Sequence, residues 1–213
     1  MKFFYFKTFF LETGNPTGYL SGHSFPPTDI SYTDDGRFCL TSCSTEAIIW
    51  DLQTNTQAYR LSVKVDSTLK KVLFMPVSNN IIACFQDDAM HIWKFGSFEC
   101  IKQIIPESWK THHLKTIALT RNGRAMVIGG HTPSLVVFCL DTWVVKKIIE
   151  FPESIPGVKQ IEFVPQIFDG GANKILALLT NSLGIYFLDI ETSMFLKSMH
   201  KLDGLAGNNF NNF

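Results

Sequence analysis

Residues 22–51 read GHSFPPTDISYTDDGRFCLTSCSTEAIIWD, and this stretch decides the fold. Asp29 to Tyr32 and Phe38 to Cys43 are short runs rich in apolar side chains, and Asp34-Asp35-Gly36-Arg37 lies between them. Asp tightens such a turn through its side chain, and Gly tolerates the positive φ the turn needs, so the two runs read as strands joined by a tight reversal. Ala47 to Asp51 supplies a third strand that ends on Trp50, and Gln57 to Leu61 a fourth.

Working outward, the same order of parts returns three times. The second repeat offers Leu69 to Phe74, a turn at Ser78-Asn79-Asn80, Ile81 to Phe85, Met90 to Lys94 and Phe98 to Ile104. The third offers Leu114 to Leu119, the turn Arg121-Asn122-Gly123-Arg124, Ala125 to Ile128, Leu135 to Leu140 and Val144 to Glu150. The fourth offers Val158 to Val164, Lys174 to Leu179, Ile185 to Asp189 and Met194 to Met199. The aromatic residues of the third strands are Trp50, Trp93, Phe138 and Phe187, spaced by 43, 45 and 49 positions. A period near 45 with four short strands is the pattern of propeller blades, and helical periodicity is missing throughout. IIACF and ILALL are apolar on both faces, as strands stacked between neighbouring sheets must be.

The expectation is an all-β propeller of about four full blades, at roughly 22–62, 63–105, 106–150 and 151–200. A partial blade precedes them at roughly 1–21, because Phe3 to Leu11 and Thr17 to Leu20 read as the last two strands of a repeat. Such a set is expected to stay an incomplete, open propeller, a partial chain or truncated product. Residues 204–213, GLAGNNFNNF, read as an Asn-rich disordered tail.

Composition narrows the function. Of 213 residues 46% are hydrophobic and 18% charged, enough apolar material for a core. Lys plus Arg and Asp plus Glu each total 19, with no basic stripe, which argues against a nucleic-acid partner. No run approaches the ~18 to 20 apolar residues of a membrane span. The opening MKFFYFKTFFL is interrupted by Lys7 and has no small-residue cleavage site after it, so it does not read as a leader. The five cysteines are odd in number and lie in apolar runs, which points to core thiols in a reducing, cytoplasmic setting.

Gly22-His23 followed by Trp50-Asp51 resembles the WD40 repeat. In that family the His bonds a hydroxyl on the second strand, the hydroxyl meets the Trp indole, and a turn Asp orients the His. The resemblance therefore gives His23, Trp50 and Asp51 structural roles, with Thr41 or Ser42 supplying the hydroxyl. Ser44-Thr45-Glu46 stands where the turn Asp belongs, so the network is expected to be incomplete. The second repeat keeps Asp87 at the turn position and Trp93 on the strand, without a Gly-His pair. More narrowly, KVLFMPVSNNIIACFQDDAMHIWKFGSFEC, TRNGRAMVIGG and VKQIEFVPQIFDGGANKILALLTNSLGIYFLDIET are similar to the amino-terminal WD40 region of a family of large WD40, TBC and coiled-coil proteins, that of TBC domain family member 31. The likeness covers roughly residues 9–203, and the turn Phe168 to Asn173 is its most idiosyncratic piece. It implies a scaffold associated with the centrosome, centriolar satellites or cilium assembly. No TBC segment lies within these residues, so no GTPase-activating function is expected of them.

Sharper chemistry was weighed against structural roles. His23 as a metal ligand or base yields to His23 as a blade-corner residue. Cys39 and Cys43 share a strand face like half a zinc site, but they lack a second ligand pair and read as core thiols. Asp34-Asp35 and Asp87-Asp88 sit in turns that favour Asp, and His112-His113 and His131 fall in loops. Gly129-Gly130 has no phosphate-loop lysine. No catalytic residue, cofactor or metal is therefore expected. Trp109 and Trp143 lie outside the apolar slots of the repeat and are candidate interface anchors, with Trp143 alternatively covering its own blade. The reading is a non-enzymatic scaffold whose partners are other proteins, missing blades of a larger chain, or a second copy of itself. The alternatives are a propeller enzyme with a central-channel site, for which LKKVLF, LKTIAL and VKQIEF offer only Glu162 as carboxylate, and a nonfunctional gene fragment.

Overall fold

A computed structural model describes residues 4–9, 12–62, 68–87, 89–105 and 114–199. The expected tail at 204–213 lies outside them. A strand pair comes first, β1 (Phe4–Phe9) antiparallel to β2 (Pro16–His23). Four four-stranded antiparallel sheets follow, each a simple meander.

The first sheet is β3 (Asp29–Tyr32), β4 (Phe38–Ser42), β5 (Glu46–Asp51) and β6 (Thr56–Ser62). The second is β7 (Leu69–Phe74), β8 (Ile81–Phe85), β9 (Met90–Trp93) and β10 (Cys100–Ile104). The third comprises β11 (Leu114–Leu119), β12 (Ala125–Gly130), β13 (Ser134–Cys139) and β14 (Val144–Glu150). The fourth comprises β15 (Val158–Phe163), β16 (Ile175–Thr180), β17 (Ile185–Asp189) and β18 (Met194–Met199). These are propeller blades, and their repetition is the 43- to 49-residue period seen in the sequence.

Burial follows strand position. Every residue of β8 is buried, as are Cys39 to Ser42 of β4 and Met126 to Gly130 of β12, whereas Cys100 to Gln103 of β10 are exposed. The second strand of each blade is hydrogen-bonded on both edges, and in β8 and β12 it is also covered on both faces, which is why IIACF and AMVIGG show no polar alternation, whereas β16 alternates between buried and half-buried positions.

The chain separates into two compact units, 1–110 with 121–123, and 111–120 with 124–213. Within the first, Leu40, Ala47 and Ile49 of one sheet pack on Val72, Ile81 and Ala83 of the next. Within the second, Val127, Leu135 and Val137 pack on Ile161, Leu176 and Leu178.

Three expectations need correction. β2 continues through Gly22 and His23, because Phe4 pairs with His23 and carries the strand past Leu20. The long fourth-blade turn contains a single helical turn, α1 (Gln166–Asp169), ended by Gly170 in the left-handed conformation. Trp50 and Trp93 both lie on third strands, but Trp50 is 2% exposed while Trp93 is only half-buried.

Candidate functional site

The end of the first blade gathers the polar residues that the sequence singled out. Trp50 Nε1 donates to Thr41 Oγ1 at 2.7 Å, and Thr41 Oγ1 lies 2.7 Å from His23 Nε2. Thr41, rather than Ser42, supplies the hydroxyl. All three residues are buried, Thr41 completely. Because the Thr oxygen accepts from the indole, its own proton is free to go to Nε2, which leaves the ring proton on Nδ1.

The vacancy at the turn is filled by Glu46. Its longer side chain starts from β5 itself and brings Oε1 to 3.4 Å from His23 Nδ1, while the Ser24 amide donates to the same oxygen at 2.7 Å. The other carboxylate oxygen takes Arg60 Nη1, and Arg60 Nη2 donates to the Gly22 carbonyl at 2.9 Å. Glu46 and Arg60 thus tie β2, β5 and β6 together. Burial opposes ionisation of Glu46, but the Ser24 amide, the Arg60 guanidinium and His23 together outweigh it and hold its carboxyl below the ordinary value. Burial, opposed by Glu46 and aided by Arg60, holds His23 below its ordinary value, so the ring is neutral near pH 7. Sequence reasoning missed this pair because no spacing rule links a strand Glu to an Arg one strand away. The signal available was an acid opening the third strand and a base near the end of the fourth, which an antiparallel pair brings to the same end.

Asp51 accepts from the amides of Gln53 and Thr54 and meets Arg37 Nη2 at 3.3 Å, so it is a turn brace. Asp189 takes the same role in the fourth blade with Glu191 and Thr192. Asp87 is exposed and accepts from the Ala89 amide at 3.2 Å. Trp93 packs edge-on against His91 and Phe85. Asp88, Trp109, His112 and His113 lie outside the described residues. Trp143 is half-buried, with φ +59° and its ring 6.4 Å from that of Phe138, edge to face. It therefore covers its own blade.

Cys39 and Cys43 do not converge. Burial pushes the Cys39 thiol up to about 12, which makes it inert near neutral pH, and Cys39 sits with Leu20, Ile48 and Trp50 in the core. Cys43 instead faces His23 and Glu46. Ile167 and Phe168 of α1 are neighbouring apolar side chains on a turn, 86% and 69% exposed. Their loop is braced from within, Asp169 accepting from the amides of Gly171 and Lys174 and Asn173 donating to the Gly171 carbonyl.

Four-stranded meanders repeated at this period, with a buried His–Thr–Trp relay at the end of the first, define a WD40-type β-propeller segment. No family model matches the chain. Its relatives among curated proteins are TBC1 domain family member 31 of Xenopus laevis, 37% identical over 175 residues, 82% of this chain and 16% of that protein. The same protein of Oryzias latipes is 30% identical over 191 residues, 89% of this chain and 18% of the relative. That of Homo sapiens is 29% identical over 198 residues, 92% and 19%. Over most of its length the chain is homologous to this family, and it spans less than a fifth of each of these three relatives.

Proposed function

We propose that the chain is a non-enzymatic protein-binding scaffold that works at the centrosome, the centriolar satellites or the ciliary base, a reading supported by its likeness to TBC1 domain family member 31. The observation that carries the reading is the braced loop at α1. A loop whose polar groups are already paired presents Ile167 and Phe168 with little ordering left to lose on binding. Large apolar side chains held in one geometry are what a protein partner uses as anchors. A propeller supports such turns on rigid sheets, which leaves turn sequence free to vary with the partner. Among the described residues no helix is long and apolar enough to cross a membrane.

The whole chain fused to a proximity-labelling enzyme tests the reading in ciliated cells. Labelling enriched in centrosomal or satellite proteins, and reduced by the paired substitutions Ile167→Ser and Phe168→Ser, is the expected result. Labelling that is evenly cytosolic overturns the location. Labelling that is enriched but unchanged by the two substitutions overturns the anchor.

A further inference from the structure

We propose that His23, Cys43 and Glu46 form a binding site for one zinc-type divalent cation at the end of the first blade. One ligand atom from each residue, His23 Nδ1, Cys43 Sγ and a Glu46 carboxylate oxygen, lies within 4.8 Å of the other two, and all three residues are buried. His23 Nδ1 is a fully buried nitrogen with no hydrogen-bond partner, and it is aimed at Glu46 Oε1 across 3.4 Å. Tetrahedral zinc with bonds of ~2.0 to 2.3 Å places one sulfur, one nitrogen and one oxygen about 3.3 to 3.6 Å apart, so the cluster needs a contraction of about 1.5 Å at most.

The surroundings suit the cation. A metal-ligating imidazole must carry its proton on the other nitrogen, and that nitrogen wants an acceptor. Thr41 Oγ1, 2.7 Å from Nε2, provides it once the hydroxyl turns its own proton away. Arg60 occupies the far carboxylate oxygen, and Oε1, which accepts from the Ser24 amide at 2.7 Å, keeps its second lone pair for the metal. Thr45, whose hydroxyl lies 3.7 Å from Cys43 Sγ, is exposed and marks the side from which solvent supplies the fourth ligand. A thiolate and a carboxylate offset the dication and the imidazole stays neutral, so the Arg60 guanidinium on the far carboxylate oxygen leaves the loaded site with one net positive charge. Binding releases one proton, from the Cys43 thiol, because His23 only exchanges one tautomer for the other.

The test uses the full chain, stripped with chelator and titrated with cobalt(II) and then zinc. The site predicts one equivalent of cobalt with a thiolate-to-cobalt charge-transfer band, displaced by zinc, and about one proton released per metal. Cys43→Ser should abolish the band and weaken zinc binding at least tenfold, whereas Cys39→Ser should leave both unchanged. Absence of the band, or a band that survives Cys43→Ser, overturns the proposal. Should Cys43→Ser fail to fold, X-ray absorption of the zinc-loaded wild-type chain decides. One sulfur at about 2.3 Å with nitrogen and oxygen ligands supports the site, and a sulfur-free shell overturns it.

Discussion

Thr41 Oγ1 satisfies two ring nitrogens at once, Trp50 Nε1 and His23 Nε2, each at 2.7 Å. Thr41→Val keeps the shape but leaves Trp50 Nε1–H and His23 Nε2 unpaired in a completely buried position. Each orphaned group costs about 1–3 kcal/mol. Thr41→Ser retains the oxygen and loses one methyl, for about 1 kcal/mol. Denaturant unfolding of the two variants separates the effects, and equal midpoints would mean the relay adds nothing. The pair His23 and Glu46 also sets a pH dependence. Both have folded values held below the ordinary ones, 6.5 and 4.5, so each contributes stability that is complete above its ordinary value and lost as pH falls through the folded value. Stability should therefore decline in two stages, the first beginning below about pH 6.5 and the second below about pH 4.5. His23→Gln should shrink the first stage and leave the second, the remainder of the first belonging to His91, which burial also holds below its ordinary value. A profile flat from pH 7 to 5 in the wild-type chain would contradict a neutral buried His23. The His23–Trp50 pairing was legible in the residues Gly22-His23 and Trp50-Asp51, whereas the carboxylate facing Nδ1 at 3.4 Å was not, because it depends on the reach of a Glu from β5.

At the scale of elements, the turn from third to fourth strand recurs with one geometry. At or next to its end stand Asn55, Phe98, Trp143 and Ser193, and all four have φ between +54° and +62°. Side chains other than Gly and Asn are strained there, and a bulky aromatic more than most. The strain at Trp143 is offset by the edge-to-face contact of its ring with Phe138, which is 1% exposed. Trp143→Asn relieves backbone strain and removes that cover, so the two effects oppose. Partial burial of an aromatic outweighs a turn preference, and a net loss of about 1–2 kcal/mol is expected in a thermal or denaturant melt. Unchanged or raised stability would return Trp143 to the role of a partner-facing anchor. Most strand limits were readable from apolar runs bounded by Asp, Asn and Gly; Asp29–Tyr32, Leu69–Phe74, Ile81–Phe85 and Val144–Glu150 stand where those signals put them. The helical turn at Gln166–Asp169 was not readable, since its four residues carry no apolar period and are held by Asp169 bonding within its own loop.

For the whole molecule, the account rests on a period of strands rather than on any one site. The spacing of Trp50, Trp93 and Phe138 carried the repeat because each stands at one register of a third strand, just past the bulge in its pairing with the fourth; in the last blade that register holds Leu188, and Phe187 precedes it by one residue. Function was less legible, because the turns that would meet a partner have no repeating chemistry and are free of the packing that constrains the strands. Amide hydrogen exchange of the intact chain, read by mass spectrometry, tests the blade repeat most directly. Buried ladder amides exchange slowly and turn amides quickly. The expected record is four protected blocks centred on β4–β5, β8–β9, β12–β13 and β16–β17, separated by fast turns at the 43- to 49-residue interval. Protection lacking that interval, or absent from any of the four central strand pairs, would contradict the account.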